Sequence, residues 1–288
     1  MDINSKTPIV LTETASSAHL DGQNLIGVVS ADFAMDLCIK KAENQGISIV
    51  SLKNANHFGI AGYYGLKALE KNLIGLAFTN TSPMVVPTRS KTPGLGTNPI
   101  SFFANDFNLD MATSTVALGK IEMKRREKQP CPEGWGVNES GQVETQADLV
   151  KNLLPLGGAE NTGGYKGYGL SAMVEILCGV LSGANFGTNI RRWTQIWDEP
   201  DNAPKANLGQ CFICINPKFF NPNFDEDLSE YCKQLRGHQH IDGEDSVIIP
   251  GDKSRKNVEK MSEYIIYSKE VIDQIHDQIP YIEPMPFF

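Results

Sequence analysis

Residues 47–78 read ISIVSLKNANHFGIAGYYGLKALEKNLIGLAF. Residues 47–52 alternate and then continue apolar, as a strand does. A polar loop, Lys53-Asn-Ala-Asn-His57, comes next, then a helical stretch at 60–71 that ends near Asn72, then a second strand at 74–78. Strand, loop, helix and strand is the rhythm of a βαβ unit, and ligands in such sheets gather beyond the carboxyl ends of strands. Asn56-His57 and Thr79-Asn80-Thr81 both fall at such ends.

Working outward, residues 30–44 carry Phe33, Ala34, Leu37, Cys38 and Ala42 at helical spacing, with Ser30 as a start and Gly46 as a stop. Before them the chain reads as an extended lead-in whose strand-like stretch is Pro8-Ile-Val-Leu11, ending in an Asp21-Gly22 turn. After residue 78, Pro83, Pro87, Pro93 and Pro99 stake out a long irregular segment. Residues 120–145 read as a charged excursion with Lys124-Arg125-Arg126 as a solvated face, and 167–181 as a long apolar helix. A strand over 208–215, a short helix over 228–236 and a charged amphipathic helical segment over 254–278 complete the chain. The pattern predicts an α/β protein: a mixed sheet with flanking helices over residues 21–235, an N-terminal extension at 1–20 and a smaller C-terminal helical part at 236–288.

Composition narrows the function. A chain of 288 residues with 41% hydrophobic and 21% charged residues can bury a full core. Its net charge of −8 argues against a nucleic-acid partner. It also means that an anionic ligand needs local positive groups, because the global field repels it. No apolar run approaches the ~18 residues of a membrane span, and residues 1–20 hold no signal-peptide core, so a cytoplasmic protein is expected. Six scattered cysteines fit reduced thiols. Cys211 and Cys214 form a CxxC, but within a buried strand residues three apart point to opposite faces, and no second CxxC or nearby histidine completes a zinc set.

Five histidines could move a proton near neutral pH: His19, His57, His238, His240 and His276. His57 is flanked as a site would be, by Asn54, Asn56, Gly59 and Gly62, although Asn56 and His57 could equally cap the following helix. His238 and His240 lie in a polar loop without a third ligand, so no metal is expected. Gly94-Leu-Gly-Thr-Asn-Pro99 matches neither phosphate-loop template; Asn98, before a proline, is expected to be extended. Asp110 reads most simply as the cap of a helix over 113–121. The glycine-dense run from Gly157 to Gly169 ends in Lys166 at the mouth of an apolar helix, where glycines and a helix N-terminus favour anions.

Taken in order, Asn54-Ala-Asn-His-Phe-Gly59, Thr79-Asn-Thr81, Leu95-Gly-Thr-Asn-Pro99, Asp110-Met-Ala-Thr-Ser114, Leu154-Pro-Leu-Gly-Gly158, Lys166-Gly-Tyr-Gly169, Leu181-Ser-Gly-Ala184 and Pro250-Gly251 resemble the type-2 malate/L-lactate dehydrogenase family. That group includes ureidoglycolate dehydrogenase and diketogulonate reductase. The resemblance implies a non-Rossmann fold that binds NAD or NADP, hydride exchange with a small 2-hydroxy or 2-oxo acid, and a homodimer. It implies His57 as the proton donor or acceptor and Thr81, Asp110, Met111, Ala112 and Lys166 as cofactor contacts, with Asn56 and Asn98 as substrate or loop candidates. It also implies an N-terminal helical segment with Ser-His-Gly, which these residues lack, so a cofactor-binding relative or shortened form without turnover is the second expectation. Thr88-Arg89-Ser90 stands where a glycine pair is common, and Arg89 could partly replace a lost anion contact, a surface role being simpler.

Overall fold

The strand at the centre of the sheet is the one whose sequence is apolar on both faces, Leu208–Ile215. A computed structural model describes residues 7–193 and 203–261, with Tyr267, Lys269, Ile272, Asp273 and Ile275 beyond them. The strands are β1 (Ile9–Glu13), β2 (Ser17–Asp21), β3 (Ile47–Ala55), β4 (Ile74–Thr79), β5 (Ile100–Ala104), β6 (Phe107–Met111), β7 (Gly136–Val137), β8 (Val143–Glu144), β9 (Asn152–Leu153) and β10 (Leu208–Ile215). The α-helices are α1 (Gly27–Gln45), α2 (Ala61–Leu69), α3 (Leu118–Arg126), α4 (Gly164–Glu175), α5 (Phe224–Arg236) and α6 (Asp252–Lys260). The main sheet runs β1-β2-β3-β10-β4-β5-β6, and β8-β7-β9 form a small second sheet. The expected helical segment at 254–278 is seen to Lys260, and most of its remainder, with His276, lies outside the described residues.

The sheet is mixed. β2 and β3 pair in parallel across α1, while β10 is antiparallel to both β3 and β4 and lies between them. The βαβ unit read from residues 47–78 is therefore real but opened by one strand, an arrangement that differs from a doubly wound parallel sheet. Side chains alternate across it as strand geometry requires. Phe212 and Cys214 join Val50, Leu52, Ala77 and the α1 and α2 residues Met35, Cys38 and Tyr64 on one face. Cys211 joins Phe78, Val174 and Cys178 on the other. The two CxxC sulfurs thus belong to different cores, and burial pushes the Cys211 thiol up to about 12, so it stays protonated.

Four readings change. The lead-in holds a second strand, β2, whose alternating exposure marks it as half-buried. α1 starts at Gly27 rather than at Ser30, whose hydroxyl donates back to the Gly27 carbonyl. The 120–145 excursion packs into a core, its Ile121 and Cys131 joining Val116, Ala147 and Val150 beside it. Its Arg125 is no solvated charge: the guanidinium donates to the carbonyls of Ala147 at 2.8 Å and Val150 at 2.6 Å, tying α3 to the chain before β9.

One buried side chain ties the loops at the sheet edge to α4. Glu175, 7% exposed, accepts from Asn80 Nδ2 at 3.0 Å, Asn98 Nδ2 at 2.7 Å and the Gly187 N–H at 2.9 Å. Asn80 also donates to the Asn185 carbonyl and accepts from the Gly209 N–H, and Gly209 lacks a Cβ because one would overlap the Cys178 carbonyl. Removing an acceptor that satisfies several interior donors costs their desolvation penalty. Glu175→Ala is expected to lose about 3 kcal/mol, roughly 10 °C in a thermal melt of a chain this size. A melting temperature that stays put would mean the carboxylate is dispensable.

Candidate active site

The carboxyl ends of β3, β4 and β6 and the starts of β5 and β10 meet at one edge, as the pairings Leu208–Ala55, Gln210–Thr79 and Ile100–Met111 require. The loops leaving these ends carry most of the expected site residues. His57 stands just past β3, Thr81 just past β4, and Asp110, Met111 and Ala112 at the end of β6.

The corner around His57 is held on every side except at its imidazole. Asn56 is buried, and its amide donates to the Asn24 carbonyl, Asn24 Oδ1 and the Leu25 carbonyl at 2.8–3.1 Å. Gln210, on β10, donates to the Asn56 carbonyl at 2.9 Å. Phe58 packs against Tyr64 and Phe212, and the Tyr64 hydroxyl donates to the Phe58 carbonyl at 2.6 Å. Gly27 lets the start of α1 approach, since a Cβ there would overlap the His57 carbonyl. Asn56 is therefore a structural brace, its side chain spent on residues 24–25 rather than aimed into the site.

His57 itself is exposed. Its Nδ1 accepts from the Gly59 N–H at 3.1 Å, which assigns the lone pair to Nδ1 and the neutral ring's proton to Nε2. The ring lies edge-on to Trp193, 6.1 Å between centroids.

Two cavities adjoin at His57, Thr81 and Leu208. The first, 280 Å³, is walled by Phe58, Ile60, Pro99, Met111 and Ala112 with Thr97 and Asp110. The second, 520 Å³, is walled by Asn56, Ser82, Arg191, Trp193 and Lys205. A larger one of 680 Å³ lies apart, between residues 86–91 and the small sheet. Its Arg89 and Glu160 are occupied with each other in an exposed ion pair at 2.7 Å, so Arg89 has the surface role.

Asp110 caps a helix, but not the expected one. Its Oδ2 accepts from the Gly62 N–H at 3.0 Å in the first turn of α2, and a Cβ on Gly62 would crowd that carboxylate. Desolvation raises the Asp110 pKa above its ordinary value, with the Gly62 N–H pulling the other way. Thr81 is pinned too: its hydroxyl accepts from the Thr97 N–H at 3.0 Å, close against Gly96. Asn98 is not extended. It has φ 34°, is fully buried, and bridges the Thr81 N–H, the Ser171 carbonyl and Glu175. Asn98 braces the loops beneath the site.

Lys166 is not among the residues lining either His57 cavity. It sits exposed in the first turn of α4, which begins at Gly164, with its ammonium 5.8 Å from the Tyr165 ring centroid. His238 and His240 are exposed in the loop after α5, and among the described residues no three His, Cys, Asp or Glu side chains converge as a metal set. Sequence reasoning missed Arg191, Lys205 and Glu175 as parts of the site. Glu175 had a signal, a lone acid inside an apolar helix; Arg191 and Lys205 had none, since the cavity they line with His57 and Thr81 joins residues far apart in sequence.

Among the described residues no helix is long and apolar enough to cross a membrane. The family model for malate/L-lactate dehydrogenase matches residues 2–276. A malate dehydrogenase of Pyrococcus abyssi is 38% identical over 279 residues, spanning 93% of this chain and 75% of the relative. The NAD(+) ureidoglycolate dehydrogenase of Escherichia coli O157:H7 is 33% identical over 285 residues, spanning 96% and 77%. The solved sulfolactate dehydrogenase of Methanocaldococcus jannaschii superposes with a TM-score of 0.80 at 33% identity, covering 95% of this chain and 79% of that one. With a match along nearly its whole length, the chain belongs to the malate/L-lactate dehydrogenase family.

Proposed function

We propose that this protein interconverts a small 2-hydroxy acid and its 2-oxo acid with NAD or NADP as the hydride partner. The observation that carries the reading is a single free imidazole edge at the wall shared by two cavities. One cavity is apolar with a carboxylate at its rim, and the other is lined by cations. The apolar floor of Met111, Ala112 and Pro99 suits a planar ring, and Thr81 and Asp110 suit the amide and hydroxyl groups of a nicotinamide nucleotide. Lys166, at the first turn of α4, is proposed for its phosphates. When bound, the nicotinamide accepts or returns the hydride.

The chain's own residues handle the proton. In the neutral ring Nε2 carries the hydrogen and can donate a hydrogen bond to the 2-oxo oxygen. Delivering a proton from Nε2 begins from the doubly protonated ring, and forming that ring breaks the Gly59 contact, since Nδ1 then carries hydrogen. In oxidation the sequence reverses, and Nε2 takes the hydroxyl proton while Nδ1–H points away. His57 is exposed enough for that exchange, whereas Asn56, Gln210 and Tyr64 hold its backbone still. The homodimer implied by the family fits the exposed apolar side chains of Ile60, Tyr63 and Leu66 at and beside α2.

Two outcomes are expected. His57→Ala lowers kcat with malate or lactate at least about 100-fold, while cofactor affinity read by fluorescence titration moves less than about threefold; loss of both together would place His57 in folding or cofactor binding instead. The second concerns pH. Burial raises the Asp110 pKa, so its acceptor carboxylate is lost as pH falls, at a higher pH than for a free aspartate. The cofactor KM should climb on acidification through that range, and Asp110→Asn should give a weaker KM without the climb. A variant whose KM keeps the wild-type pH profile would remove Asp110 from the cofactor site.

A further inference from the structure

The 520 Å³ cavity beside His57 is cationic in an acidic protein. Arg191 and Lys205 line it, and among the described residues no Asp or Glu does. Arg191 has no ion pair or hydrogen-bond partner among the described residues, and its Nε is buried without an acceptor. A buried donor left unpaired costs about 1–3 kcal/mol, so the fold holds this guanidinium in a state that an incoming acceptor would relieve. Desolvation by the surrounding protein also lowers the Arg191 pKa.

Position supports the same conclusion. Arg191 and Trp193 belong to one short stretch, and the Trp193 ring meets the His57 ring edge-on. Neutral donors, Ser82 and the Thr81 hydroxyl, share the wall. Guanidinium groups bind carboxylates and sulfonates through two parallel N–H donors, which orients the anion as well as attracting it.

We propose that Arg191 binds an oxyanion group of the substrate and, with Lys205, makes the site selective for 2-hydroxy acids that carry a second negative charge. Two cationic side chains in one cavity wall match a dianion better than a monoanion. Arg191 is then a substrate-binding and specificity-determining residue and takes no part in proton transfer. This rests on the 2-hydroxy-acid reading of the site, so its test includes an arm without turnover.

Binding of malonate, a dianion with no hydroxyl to oxidise, and of acetate is measured by calorimetry on the full chain with and without NAD or NADP. Wild type, Arg191→Gln and Arg191→Lys are compared. Malonate should bind wild type and weaken about thirtyfold or more in Arg191→Gln, with partial recovery in Arg191→Lys, unchanged melting temperature and unchanged cofactor affinity. In kinetics, the KM for malate should rise by a similar factor in Arg191→Gln with kcat within a fewfold, while lactate constants shift less than about threefold. Malonate binding that is absent from wild type, or equal in wild type and Arg191→Gln, overturns the proposal, as does an equal loss for malate and lactate. Malonate binding lost in the variant alongside a wild type that turns over no 2-hydroxy acid upholds the anion site and defeats the dehydrogenase reading alone.

Discussion

A single buried carboxylate sets the geometry of the catalytic edge. Glu175 accepts hydrogen bonds from Asn80, Asn98 and the Gly187 backbone, which come from the loop after β4, the loop before β5 and the turn that follows α4. Among the described residues no ion pair reaches it; its oxygens accept from N–H dipoles. Amide donors can be arranged around a carboxylate without the long, entropically costly side chain that an arginine would bring. The consequence is rigidity. Asn80 and Asn98 flank Thr81 and Pro99 in sequence, so the residues that wall the cavities inherit their positions from α4 on the opposite face of the sheet.

The His57 corner follows the same logic with different parts. Its neighbours give every polar group to a fixed partner: Asn56 to Asn24 and Leu25, the Asn56 carbonyl to Gln210, the Phe58 carbonyl to Tyr64. The imidazole alone is left to exchange partners. In the role proposed for His57, a group that gives and takes a proton works best on a frame that does not reorganise when it does so. The Gly59 N–H then biases the resting tautomer without locking it, because the ring faces solvent.

The sequence revealed local chemistry better than partners. β10 was legible because a strand apolar on both faces can only be central, and its two cysteines then had to belong to different cores. His57 and Thr81 were legible because strand ends gather ligands, whereas Asp110, Met111 and Ala112 were implied only by the family resemblance; all five line one cavity. Asp110 was rightly read as a helix cap, yet the helix it caps lies 48 residues earlier, across the sheet edge, where propensity has no reach. Asn98 was misread because the restriction that proline places on its predecessor is a weak preference, and three buried hydrogen-bond partners outweigh it. Arg125 looked like a surface charge because its two carbonyl partners lie more than twenty residues away. β2 was hidden because its polar ends, Ser17 and Asp21, mask a pattern in which only Ala18 and Leu20 are buried.

Charge supplies the last link. The net charge of −8 was legible at once and carried a requirement, that any anion must be attracted locally. Screening confines such attraction to about 8–10 Å at physiological salt, so the cations have to line the cavity itself. Arg191 and Lys205 do, while Asp110 is engaged with the first turn of α2 and Glu175 with buried amides. Two cations in one cavity wall can hold an anion at short range within a repulsive global field. Such a site gains little from long-range steering, so its discrimination has to come from how well the bound anion fits the guanidinium.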